Sequence, residues 1–259
     1  MTWVDLLLAA IAGVWAGMIN TVVGSGSLVT FPTLLALGLP PVMANTTNNI
    51  GLVPGSISGT VGMLPEVKAL KHELIRLGPL ALLGGLAGAL LLLWLPSSAF
   101  DTIVPILIAI GCILVVLQPW LTQKMAARAG RLAAEGRPPS SRKPWWPLPA
   151  IALSSTYGGY FGAAQGLLHM AILSLAMPDE SWPRLNALKN ALASIINFTA
   201  AIVFILVAPV SWPYVGALAV GSVIGGQLGA RVGRRLPAVA YRVIIVVIGV
   251  IAIINQLVK

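Results

Sequence analysis

The chain has 259 residues, 58% of them hydrophobic and only 9% charged, with a mean hydropathy of +0.92. Soluble domains carry roughly 25% charged residues, so the composition excludes a water-soluble globular protein and fits one membrane domain. The net charge of +9 does not point to nucleic acid, because the basic residues sit in short loops between apolar runs instead of forming one basic face.

The opening MTWVDLLLAA has no basic n-region and carries Asp5, so insertion through an uncleaved first helix is expected. Apolar runs and turn residues predict a helix over Val4–Asn20, a Gly/Ser break at TVVGSGS, and a short helix over Leu28–Leu39 closed by Pro40 and Pro41. Longer helices follow over Ala44–Leu64, Leu74–Leu95 and Ala99–Leu121, each near the ~20 residues that cross a bilayer core. Cys112, the only cysteine, lies inside the last of these, which excludes an intrachain disulfide or a multi-cysteine metal site. The segment Thr122–Pro147 is polar, Pro-containing and basic, with Lys124, Arg128, Arg131, Arg137, Arg142 and Lys143 against the single acid Glu135. It reads as a cytoplasmic linker.

The second half repeats the order over Leu148–Ala164, Gly166–Met177, Asn186–Pro209, Trp212–Gly233 and Ala238–Val258. A constant offset of 141 pairs Gly17 with Gly158, Asn45 with Asn186, Asn49 with Asn190, Gly84 and Gly88 with Gly225 and Gly229, and Leu95-Pro96 with Leu236-Pro237. Two membrane repeats, 1–121 and 148–259, are therefore expected around the linker 122–147. Lysine and arginine favour cytoplasmic loops. With the linker inside and five crossings per half, all but two of the sixteen basic residues, Lys189 and Lys259, fall inside. A parallel arrangement puts Arg231, Arg234, Arg235 and Arg242 outside, so the halves are read as inverted, with both termini outside. The predicted class is an all-α polytopic membrane protein of two inverted-topology repeats, each with a short broken or re-entrant helix at a Gly-rich break. Secondary transporters use this plan, with the substrate at the midplane between discontinuous helices.

Polar groups within a span need a partner or a function. Lys189 lies inside a predicted span with Asn186, Asn190 and Asn197 at helical spacing, and is read as an anion-facing cation in preference to a snorkelling lysine. The matching helix of the first half carries Asn45, Thr46, Thr47, Asn48, Asn49, Ser56 and Ser58, suited to interhelical hydrogen bonds or to lining one anion site. The breaks at Gly24–Ser27 and Gly162–Gly166 each precede a short helix, whose first amides attract anions. From these features the candidate substrate-binding set is Asn20, Ser25, Gly26, Ser27, Asn45, Thr46, Asn48, Asn49, Gln165, Gly166, Asn186, Lys189 and Asn190. His169 in the second short helix is read as a packing histidine or, less simply, as a proton sensor. No HExxH, GxSxG or Walker sequence occurs, and no carboxylate sits deep in a span, so neither a catalytic residue, a cofactor nor a metal is expected. A Ser25/His169 dyad of an intramembrane hydrolase ranks low, and a gated anion channel built on the same residues is the nearer alternative.

The stretches GMINTVVGSGSLVTFPTLLALGLPPVMANTTNNIGLVPGSISG, GGYFGAAQGLLHMAILSLAM and RLNALKNALASIINFTAAIVF resemble the two repeat signatures of the TauE/SafE sulfite-exporter family. The resemblance covers nearly the whole chain. It implies export of sulfite, or an organosulfonate such as sulfoacetate, across a bacterial cytoplasmic membrane. The implied partners are that small anion and membrane lipid, and a homo-oligomer is compatible with it. Many members carry a lysine in the first polar helix where this chain has Asn49, which leaves the positive charge to Lys189; His169 stands where an apolar residue is usual.

Overall fold

The computed structural model describes residues 2–134, 145–231, 246, 247 and 250, and its regular elements there are all α-helices. They are α1 (Trp3–Val22), α2 (Ser27–Ala36), α3 (Pro41–Val61), α4 (Leu64–Ala69), α5 (Lys71–Trp94), α6 (Ser97–Ala134), α7 (Pro147–Tyr160), α8 (Gln165–Ala176), α9 (Trp182–Val207) and α10 (Trp212–Arg231). Trp3–Val22, Lys71–Trp94, Ser97–Leu117 and Trp182–Val207 are long and apolar enough to cross a bilayer. Large apolar side chains on them, among them Leu7, Leu83, Ile113 and Leu206, are exposed, as lipid-facing residues are. The chain is a multi-pass membrane protein.

The α2 and α8 helices have 10 and 12 residues; at 1.5 Å per residue they reach only about 15 and 18 Å, roughly half the hydrocarbon core. Two features depart from the expected pattern. Helix α6 does not stop at Leu121 but continues to Ala134, into the expected linker, and the loop after α3 contains the extra helix α4. The helix expected over Ala238–Val258 and the linker residues Arg137, Arg142 and Lys143 lie outside the described residues.

Small residues decide how the long helices pack. Along α1 and α10, Gly13 meets Leu218, Gly17 meets Ser222 and Gly226, and Gly229 meets Met18, so these two helices run parallel. On its other side α10 takes α3, with Gly51 against Leu218, Gly55 against Ser222 and Gly62 against Ala230, again parallel. Most of these sites face backbone, and a Cβ at Gly17 would come within 2.8 Å of the Gly226 nitrogen. This is the close small-residue contact by which membrane helices associate without a hydrophobic driving force.

A second set of helices packs through small residues in the same way. Gly84 meets Ala152 and Ser155, and Gly88 meets Thr156 and Tyr160, so α5 and α7 run parallel. Leu77 and Ala81 of α5 cluster with Leu185, Leu188 and Leu192 of α9, and Gly85 further along meets Ile196. The bundles α1/α3/α10 and α5/α7/α9 touch through α3 and α9. There Asn190 reaches Met63, Ser194 reaches Thr60 and Asn197 reaches Ser56, an antiparallel ladder. Each bundle thus draws two helices from one half of the chain and one from the other.

The packing also sets a different register from the one the sequence suggested for the first helices. Gly84 and Gly225 are 141 apart, but Gly84 contacts Ala152 O and Thr156 N, where Gly225 contacts Val14 O and Met18 N. The residues of α1 and α7 that make these contacts are therefore 138 apart, while Gly17 and Gly158 are 141 apart. Both helices end alike in this register. Val23 and Gly24 both donate to Ile19 O (2.7 and 2.9 Å), and Phe161 and Gly162 both donate to Tyr157 O (2.9 and 3.2 Å). Gly24 and Gly162 take φ of +88° and +76°, the left-handed C-terminal turn that glycine adopts without steric cost.

Candidate functional site: a polar cavity where the two helix breaks meet

After Gly24 the chain folds back, so that Gly26 lies against Ala16 and Asn20 of α1, and α2 leaves toward the start of α3. The break before α8 comes up against the first. Gly166 N–H donates to Gly24 O at 3.0 Å, and a Cβ at Gly24 would sit 2.5 Å from Gly166 Cα. Beside this contact lies a cavity of about 430 Å³, counting the open space at its mouth. Asn20, Thr21, Gly24 and Ser27 line it from the first break, and Gly162, Gln165 and Gly166 from the second. Ser56 of α3 and Lys189, Asn190, Ala193 and Asn197 of α9 complete the wall.

Lys189 is the one charged side chain buried among the described residues, with 1% of its surface exposed. Its ammonium donates to Asn20 O at 3.4 Å; an ammonium has three donors, so donor capacity remains toward the cavity. Among the described residues no carboxylate lines that cavity. Ser56 Oγ accepts from Asn20 Nδ2 (3.3 Å) and Asn197 Nδ2 (3.4 Å), while Gln165 Nε2 is buried without a partner. Ser27 and Gln165 are the first residues of α2 and α8, so the partly positive ends of two helices face the same space. One cation, neutral amides and hydroxyls and two helix starts, with no acid among the described lining residues, carry the chemistry that attracts a small anion.

The cavity unites Asn20, Ser27, Gln165, Gly166, Lys189 and Asn190 of the expected set. The others lie elsewhere. Asn186 Nδ2 donates to Thr21 O (3.1 Å), and Asn45 Nδ2 donates to Tyr160 O (2.9 Å). These two asparagines, 141 apart, each pin the end of the other half's first helix, whose last carbonyls have no intrahelical donor. Asn190 Nδ2 shares the Thr21 carbonyl at 3.1 Å. Thr46 Oγ1 donates to Pro209 O (2.6 Å) and Thr47 Oγ1 accepts from Ser211 N–H (3.0 Å), which ties α3 to the loop before α10. Asn48 accepts from Thr30 and donates to Ser27 Oγ (3.2 Å), and Asn49 Oδ1 is buried without a partner. Gly26 donates to Asn20 Oδ1 (3.4 Å) behind the cavity wall. Ser25 Oγ and both ring nitrogens of His169 are buried without hydrogen-bond partners, so these two residues form no Ser/His dyad.

Of the residues the sequence set left out, Asn197 had a visible signal: it lies two turns past Lys189 on one helix face, and Ser56 precedes it by the same 141 positions. Thr21 had none, because it follows an apolar helix whose end was placed at Asn20. Away from the cavity, toward the start of α3, aromatic rings close the space behind the breaks. Phe31 meets Phe161 edge-on at 5.1 Å, and Phe100 meets Tyr160 and Phe161 at 5.6 and 6.1 Å.

The model of the sulfite exporter TauE/SafE family matches residues 9–255. The chain belongs to the TauE/SafE family. Curated relatives include the probable membrane transporter protein YfcA of Escherichia coli, 27% identical over 217 residues, covering 83% of this chain and 76% of that protein. A probable membrane transporter protein of Haemophilus influenzae is 24% identical over 229 residues (88% and 85%), and the probable membrane transporter protein ORF9 of a Sinorhizobium species is 24% identical over 247 (93% and 87%). No solved structure matches the chain. In this TauE/SafE protein the buried cation is one-sided: the residue 141 positions before Lys189 is Asn48.

Proposed function

We propose that this TauE/SafE transporter exports a small oxyanion, sulfite or an organosulfonate such as sulfoacetate, from the bacterial cytoplasm. The observation that carries the reading is Lys189, a buried ammonium with unused donors, in a cavity with no carboxylate among its described lining residues. The two halves are inverted repeats, 1–121 and 148–259. This is supported by the direction of the matched helices: α1, α3 and α10 run one way, while α7, α9 and α5 run the other. Export proceeds by alternating access, the two three-helix bundles rocking on the α3/α9 ladder while the contact of the breaks separates the two sides.

The side of the α9 start and the basic loops is taken as cytoplasmic, which puts the aromatic cluster, toward the start of α3, on the outer side of the cavity. Exposed tryptophans suit that placement, with Trp3, Trp94 and Trp212 at the outer helix ends and Trp145 and Trp182 at the inner ones. An inside-negative potential drives the anion out, contributing about 2.3 kcal/mol per charge per 100 mV. The test is sulfite flux in proteoliposomes at a set potential, for wild type and Lys189→Ala. Saturable, potential-dependent flux that the variant loses is the expected result; equal flux in both proteins rules out this site, and single-channel currents identify a gated channel instead.

A further inference from the structure

We infer that His169 is a proton site linked to the cavity, so that an anion bound beside Lys189 is accompanied by one proton on the His169 imidazole. The inference rests on the reading of the cavity as an anion site. His169 is wholly buried in α8, and neither ring nitrogen has a hydrogen-bond partner. A neutral imidazole carries one N–H donor and one acceptor nitrogen, and buried polar groups left unpaired are rare enough to call for an explanation. Gln165 lies one turn before His169 on the same helix face; it lines the cavity, and its Nε2 is also unpaired. Two unpaired polar groups thus stand one turn apart on α8, Gln165 at the cavity wall and His169 further along, and α9, which carries Lys189, packs against α8.

The elements packed against α8 are α7, α9 and α6. Their titratable side chains are Tyr157, whose hydroxyl donates to Ala163 O at 2.6 Å, and Tyr160 on α7, Lys189 on α9, and Cys112 among the described side chains of α6. Beyond the end of α8 lie Asp179 and Glu180, the latter paired with Arg184 of α9 at 3.4 Å in an exposed position. Among the described residues no carboxylate near the imidazole offsets a proton there, and the charge of Lys189 on the adjacent α9 opposes one. An anion in the cavity is the missing negative charge. It attracts the proton, and by reciprocity the proton attracts the anion. A doubly charged oxyanion taken up with this proton still moves one net negative charge, so the membrane potential continues to drive export.

The experiment is calorimetric titration of purified wild type and His169→Gln with sulfite, repeated in buffers of different ionisation enthalpy and at several pH values. Sulfite's own ionisation is common to both proteins and cancels in the difference. Wild type takes up one more proton per anion than the variant. Its affinity also rises by about tenfold per unit fall in pH relative to the variant, the slope that linkage to one proton requires. Equal proton uptake and parallel affinity curves in two proteins that both bind sulfite overturn the proton site and leave the anion site standing. Sulfite binding to neither overturns both. His169→Phe, which keeps a ring in the space, serves if glutamine unfolds the protein, and in wild type alone an uptake no larger than sulfite's own ionisation overturns the inference.

Discussion

Replacement of Gly24 by alanine tests the contact on which the cavity is built. Two effects act at that position. Gly24 sits at φ +88°, where a Cβ is strained, and that Cβ would lie 2.5 Å from Gly166 Cα and 3.0 Å from Gly166 C. The φ strain costs about 1–2 kcal/mol, the forced backbone contact about 1–3, and the weakened Gly166 N–H to Gly24 O bond about 1, together roughly 3–6 kcal/mol. Gly38 supplies an internal control, because its φ is +89° and a Cβ there has nothing within 4 Å. Gly38→Ala is expected to lose only about 1–2 kcal/mol. The assay is unfolding in mixed micelles with increasing dodecyl sulfate, followed by tryptophan fluorescence, on both variants and wild type. If the two variants unfold at the same denaturant fraction, the break-to-break contact adds nothing and the argument fails.

Asn45→Ala and Asn186→Ala are each expected to destabilise the fold by about 0.6–1.7 kcal/mol, the range for interhelical hydrogen bonds, while leaving the sulfite KM unchanged. Asn197→Ala, at the cavity wall, is expected to raise KM several-fold with little change in stability, and flux kinetics beside unfolding curves separate the two outcomes. Phe161→Ala removes one member of the ring cluster at a cost of about 3–5 kcal/mol and is expected to open the aromatic side. In a Cys112→Ser background, an impermeant thiol reagent added outside then reaches Ser27→Cys only when Phe161 is absent. Single cysteines in that background also test sidedness: Ser98→Cys is expected to label from outside and Lys68→Cys from inside.

The helical membrane class, the short helix after each break and the interest of Lys189 were legible because composition, glycine breaks and a lysine inside an apolar run are local signals. The asparagines were harder to assign. Asn45 and Asn186 looked like Asn190, but which amide faces the cavity and which pins a helix end depends on where Tyr160 and Thr21 arrive from the other half. The same holds for the register of α1 against α7. Glycine is so common that a sequence offset of 141 pairs Gly17 with Gly158, whereas the backbone contacts of Gly84 and Gly225 relate residues of α1 and α7 that are 138 apart. The extension of α6 to Ala134 was hidden because a polar, basic helix beyond a membrane span reads in sequence as a loop.

Helix α10 fills a groove between α1 and α3, and α5 fills the corresponding groove between α7 and α9. Each half thus lends a helix to its neighbour, as partners do when they exchange a segment. A fragment cut off at the linker keeps its own lent helix but lacks the one it receives, and its bare glycine faces have only lipid to meet. Two separately translated fragments in one membrane are therefore complementary parts. The exchange holds the halves together beside the α3/α9 ladder.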